Sequence, residues 1–221
     1  MKCFNVICLL FALSSFDSLT AQEKKTYYFN EKSDLLNETI FNELAKDKER
    51  FGVLYEVDTA FIAVSYKTIV RGHLEKEAFE SLKSTLKNTS KEDFNPDGFI
   101  VIDYNPGIST CNTSNQGISS WNIYDSDYIR KLNKIHPSNH FWIYKAQSKA
   151  ALKYHHSRRI DWIEDPNEIV EKMFFPFGPI SCYGLVIISE NGNYISYHTE
   201  YGKQDVWKFT EKLLEASKGD H

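Results

Sequence analysis

The stretch Gly98–Asn112, GFIVIDYNPGISTCN, constrains the chain most. Phe99–Tyr104 is apolar on both faces, and that is how a strand in the middle of a sheet reads. It runs into a Pro-Gly loop of small polar residues that extends to Trp121 and carries Cys111.

The segments after this strand can be placed relative to it. Asp125 is positioned to cap a helix through Ile135, with Tyr128, Ile129, Leu132 and Ile135 as its apolar stripe. His140–Ala146 reads as the next strand. Asp165-Pro166-Asn167-Glu168 supplies a cap, a proline for the first helical position and an acid three residues on. These predict a helix through Val170, Met173 and Phe174. Tyr183–Ser189 is a second apolar strand, Glu190-Asn191-Gly192 carries the Asn-Gly signal of a tight hairpin, and Asn193–Tyr201 alternates as the returning strand. Lys203–Ala216 closes the chain as an amphipathic helix with Val206, Trp207, Leu213 and Leu214 on one side. Strands joined through a crossover helix lie parallel, and a tight hairpin forces an antiparallel end. The fold class predicted is therefore α/β: a four-stranded mixed sheet with helices on both faces, over residues 98–221.

Residues 22–97 read as an N-terminal helix–hairpin–helix extension. Gln22–Asn30 is polar, aromatic and extended, and Ser33 stands where it would cap a helix with Leu36, Ile40 and Leu44 on one face. Arg50–Val57 and Thr59–Val70 predict two strands turning at Asp58. Leu74–Lys87 predicts a helix with Ala78, Leu82 and Leu86 inward, and the polar run Asn88–Gly98 marks the boundary.

Residues 1–21 have the pattern of a secretory signal: Lys2, an apolar run Val6–Leu13 and a small residue, Ala21, before Gln22. Cleavage there gives a periplasmic or secreted protein without Cys3 and Cys8. Gln22 as a new N-terminus resembles exported Bacteroidetes proteins. No later segment approaches the roughly 20 apolar residues of a membrane span. The net charge of −4 and the scattered basic residues give no nucleic-acid footprint. Two cysteines remain, Cys111 and Cys182. In an oxidising compartment such a pair is a structural disulfide, a switchable redox pair or two free thiols, and a bridge is the commonest of the three.

The strand–helix–strand–helix–hairpin–helix order resembles the thioredoxin fold, best at Tyr183–Tyr201, YGLVIISENGNYISYHTEY. The likeness covers about Gly98–Ser217. It implies a Cys-x-x-Cys at the start of the helix after the first strand, where this chain has Ile108-Ser109-Thr110-Cys111. Ile108 stands in the place of the attacking cysteine, so the thiolate that opens disulfides is missing. The family's cis-proline position falls on Tyr183, with Cys182 just before it and Pro179 four residues back. The fold implies that Cys111 and Cys182 lie near one end of the sheet. Tyr104-Asn105-Pro106 through Thr110-Cys111 also resembles the peroxidatic loop of peroxiredoxins, although Thr110 directly precedes the cysteine instead of lying three residues before it.

Other candidates read as ordinary surface or core. His155-His156, with His136, His140 and His198, has no metal-ligand spacing. Beside Lys153, Arg158 and Arg159 the adjacent pair reads as a solvated basic loop. Ser109, Ser119 and Ser120 lack the Gly-x-Ser-x-Gly elbow of hydrolases. The expectation is an exported thioredoxin-fold protein without a dithiol centre, binding a protein partner in the cell envelope and needing no cofactor or metal. The alternatives are a thiol-disulfide or peroxide-linked oxidoreductase using Cys111 and Cys182, and a secreted metal or small-ligand binder.

Overall fold

The computed structural model describes residues 24–89, 93–107, 121–154, 159–176 and 183–219. The expected signal peptide, Ile108, Cys111, His155, His156 and Cys182 lie outside the described residues.

Among the described residues, ten strands form two sheets. The small sheet holds β1 (Lys25–Asn30), β2 (Leu35–Leu36), β3 (Arg50–Val57) and β4 (Ala60–Lys67), in the order β2-β1-β4-β3. The large sheet holds β5 (Ile69–His73), β6 (Phe99–Asn105), β7 (Ser138–Tyr144), β8 (Ile163–Glu164), β9 (Gly184–Ile188) and β10 (Asn193–Tyr197). Its order is β5-β10-β9-β6-β7-β8. The four expected strands are its middle. β7 runs parallel to β6, β9 antiparallel to it, and β10 antiparallel to β9. The chain is thus a mixed α/β protein.

All seven residues of β6 are buried. Because side chains alternate across a strand, Phe99 and Val101 face one way and Ile100, Ile102 and Tyr104 the other. The first set packs with Leu185 and Ile187 beneath helices α3 (Tyr128–Ile135) and α5 (Lys203–Gly219). The second packs with Val186 and Ile188 beneath α2 (Lys76–Thr89) and α4 (Ile169–Phe174). Helices on both faces explain why the strand is apolar on both. Burying each large side chain contributes about 1.5–3 kcal/mol.

Several boundaries differ from the sequence reading. Ser33 does not cap a helix; its φ is 66°. Asn30 Oδ1 accepts from the amides of Lys32 and Asp34, turning the chain so that Leu35 and Leu36 pair back onto Phe29 and Tyr28. A local side-chain bond of this kind outcompetes the helix. Helix α1 (Glu38–Leu44) starts later, capped by Asn37 Oδ1 on the Ile40 amide. It buries no residue, and Ile40 is exposed; Phe41 leans on the Tyr28 ring instead.

The strand expected over Thr59–Val70 breaks at Thr68. The Thr68 amide donates to the Glu49 carbonyl just before β3 of the small sheet, and its carbonyl accepts from the His198 amide just after β10 of the large one. Residues after it form β5, which pairs with β10, and α2 buries Phe79, Leu82 and Leu86 on the large-sheet core. Of the segment expected as a separate extension, residues 69–89 therefore pack with the large sheet. Phe79 takes the inward place expected of Ala78. β7 begins two residues before the expected His140, because Ser138 already pairs with Phe99.

Two helix starts also move. Asp125 does not cap α3; with Asp127 it grips Lys203 Nζ, at 2.7 and 2.6 Å. Asp165 does cap α4, but further along. Asn167 and Glu168 take left-handed backbone angles, so the carboxylate accepts from the amides of Val170 and Glu171.

Candidate functional site: a sealed carboxylate and an open apolar sheet

Position parity turns Asp103 of β6 toward α3 and α5, on the same face as Phe99 and Val101. It is fully buried, and three groups converge on it. Tyr128, in the first turn of α3, donates to Oδ2 at 2.8 Å. His140 of β7 places Nε2 2.6 Å from the same oxygen. Tyr201, just before α5, donates to Oδ1 at 2.6 Å, and its oxygen lies 3.0 Å from the Gly184 carbonyl. Burial, and then the neighbouring Asp103 carboxylate, hold both phenols well above their ordinary range, so they remain donors.

The surroundings close this site. Tyr128 is fully buried, Tyr201 nearly so, and the His140 side chain is 8% exposed. The Trp121 ring stacks on Tyr183 with centroids 3.7 Å apart, and its Nε1 donates to the Tyr201 carbonyl at 2.7 Å. Both carboxylate oxygens already accept from the chain's own donors. The arrangement can hold three elements together, and it leaves no oxygen turned toward an incoming ligand.

The cysteine candidates are outside the described residues, but the strand ends leading to them are not. Tyr104, near the end of β6 and seven residues before Cys111 in the chain, pairs with Gly184, two residues after Cys182. Asn105 bonds the Gly107 amide through Oδ1, and its buried Nδ2 has no partner among the described residues.

The described histidines do not converge. His136 lies against the Phe99 ring, His140 meets Asp103, and His198 lies on the opposite face of the sheet beside Ser196 and Phe175. Among the described residues no group of three His, Cys, Asp or Glu is placed to hold a metal ion. No described helix is long and apolar enough to cross a membrane. The site that residue patterns left unmarked has one signal in the sequence, the single acidic residue inside FIVIDYN.

The small sheet is built the opposite way. Among the described residues, every exposed large apolar side chain belongs to it or to α1: Tyr27, Leu35, Ile40, Leu54, Tyr55 and Val57. The strand registers put Tyr27, Phe29, Tyr55, Val57, Ile62 and Val64 on one face. Phe41 of α1 lies against Tyr28 and Gly52 on the other face. Phe29, Ile62, Val64 and Tyr66 line a cleft of about 430 Å³ on the first face, closed at one side by Pro176.

No family model matches the chain, and no curated protein or solved structure does so either.

Proposed function

We propose that this chain is an exported thioredoxin-fold protein without a dithiol centre, which works by binding a partner and not by turning over a substrate. One observation carries the reading: the polar site of the large sheet is closed by its own donors, while the small sheet leaves an apolar face open. Apolar patches of that kind mark interaction surfaces. The thioredoxin part of the proposal draws support from the strand order β10-β9-β6-β7, with α3 and α5 on one face and α4 on the other. Ile108, where the family has its attacking cysteine, supports the loss of dithiol chemistry. The signal-like N-terminus supports a place in the periplasm or outside the cell, where an envelope protein is the partner expected.

A thiol-redox reading has its own observation, the pairing of Tyr104, seven residues before Cys111 in the chain, with Gly184, two residues after Cys182. An insulin-reduction assay with dithiothreitol separates the two. The binding reading expects no turnover above the uncatalysed rate. Turnover that disappears in Cys111→Ser and Cys182→Ser would replace it with the redox reading.

A further inference from the structure

Thr68 divides its two backbone groups between the sheets. Its amide donates to the Glu49 carbonyl at 2.7 Å, beside β3, and its carbonyl accepts from the His198 amide at 2.9 Å, beside β10. His198 is the first residue past Tyr197, the last of β10. Its bond to Thr68 therefore lies at the end of the ladder, and opening it breaks none of the pairs of β10 with β5 or β9. Strand ends of this kind open at much lower cost than the sheet behind them.

The His198 ring is held away from water. It is 6% exposed, meets the Phe175 ring edge to face with centroids 4.9 Å apart, and has Nε2 3.1 Å from the Ser196 hydroxyl oxygen. Gly184 of β9 leaves room for Phe175, since a Cβ there would sit 2.5 Å from that ring. Among the described residues, the groups that meet His198 carry no charge. Thr68 offers a carbonyl, β10 the Ser196 hydroxyl, and the end of α4 the Phe175 ring. The carboxylate in the last turn of α4, Glu171, is engaged elsewhere, by the Tyr104 phenol at 3.4 Å and Lys145 Nζ at 2.6 Å. Burial is what lowers the imidazole pKa, to about 4.

We infer that His198 is an acid-sensitive latch on the joint between the two sheets. On taking up a proton its ring leaves the cover of Phe175 for water, and its amide lets go of Thr68 while the rest of the large sheet stays folded. Ring and amide move together because in a strand the backbone fixes which face a side chain takes. Once the latch is open the joint keeps the ion pair of Arg71 with Glu49, whose side chains are 48% and 49% exposed. Exposed pairs of that kind contribute little. The latch adjoins the open face of the small sheet, since Pro176, next after Phe175, closes one side of its cleft. The inference depends neither on a partner binding there nor on the thioredoxin likeness. With the ring out in water its pKa is the ordinary 6.5. Below that pH each unit favours the open, protonated form about tenfold, until the covered ring also takes a proton near 4.

Amide hydrogen exchange, followed by NMR between pH 6.5 and 4 and corrected for the intrinsic rate, reads this bond directly. The His198 amide should lose protection about tenfold per pH unit. It should stay less protected than the Val101 and Ile102 amides of β6, and respond little to low urea, because a local opening exposes little surface. In His198→Gln the amide of residue 198 should show no such dependence on pH. A His198 amide that matches those of β6 in both level and urea response would mean that only global unfolding frees the ring, and overturns the inference. So does protection that does not fall with acid, or that falls equally in His198→Gln. The comparison with β6 uses the native chain and needs no folded variant. None of these readouts involves a partner or a thiol, so the latch fails separately from the binding reading.

Discussion

Asp103 is tolerated at zero exposure because donors from α3, β7 and the start of α5 meet it. Asp103→Ala would leave the Tyr128 phenol and the His140 imidazole buried without this partner, and the Tyr201 phenol with the Gly184 carbonyl alone. Leaving a buried polar group without its partner costs about 1–3 kcal/mol. Urea unfolding should show a loss of that size, with a smaller loss for Asp103→Asn, which keeps one acceptor oxygen. A change under about 1 kcal/mol, no larger than one ordinary hydrogen bond, would mean the cluster does not hold the elements together. His198 acts differently. Burial lowers its pKa from an ordinary 6.5 to about 4, so the folded protein favours the neutral ring. Its contribution is complete above pH 6.5 and falls away as the pH drops from there toward 4. A tenfold change in proton affinity is worth roughly 1.4 kcal/mol, so about 3 kcal/mol is at stake. Unfolding free energy followed between those pH values should decline in the native chain and flatten in His198→Gln. The lone acid in FIVIDYN is visible in the sequence. Its partner Tyr201 is 98 residues away, and no local pattern connects the two.

At the scale of elements, strands and helices with a clear period were legible: β6, β9, β10, α2, α3 and α5 fall close to where the alternation or the i, i+4 stripe put them. The Asn-Gly turn between β9 and β10 was legible too, since Gly192 takes a φ of 87° that suits glycine. Ends and breaks were not. Thr59–Val70 reads as one apolar strand, and it divides at Thr68 only because its first part pairs with β1 and β3 and its last part with β10. The two-residue strand β8 is too short to leave a period. Gly184 belongs to this scale as well. A Cβ there would sit 2.5 Å from Phe175 Cζ, and that ring stacks on Tyr104 and touches His198. Gly184→Ala must push a buried aromatic aside, and overpacking of this kind costs about 1–3 kcal/mol. A thermal melt should show the loss, and Phe175→Leu in the same chain should relieve part of it.

The whole molecule joins two sheets of opposite character around Thr68, whose backbone bonds residues flanking both, and Arg71 of β5 adds an ion pair to Glu49. The large sheet is covered on both faces by helices, and its acid is sealed inside. The small sheet has α1 on one face, an apolar surface on the other and an edge strand, β3, that no described strand covers. The two cysteines that dominate a chemical reading of the sequence lie outside the described residues, so the geometry bears on them only through the strand ends that lead their way. By itself the sequence determined the α/β class, the doubly buried central strand and the antiparallel hairpin. Those follow from side-chain period and turn chemistry, which act between near neighbours. Only the tertiary structure decided that residues 69–89 join the large sheet, that Asp103 meets Tyr128, His140 and Tyr201, and that one face of the small sheet stays open. Each of these is a choice of partner among residues far apart in the chain, settled by which surfaces can be buried together.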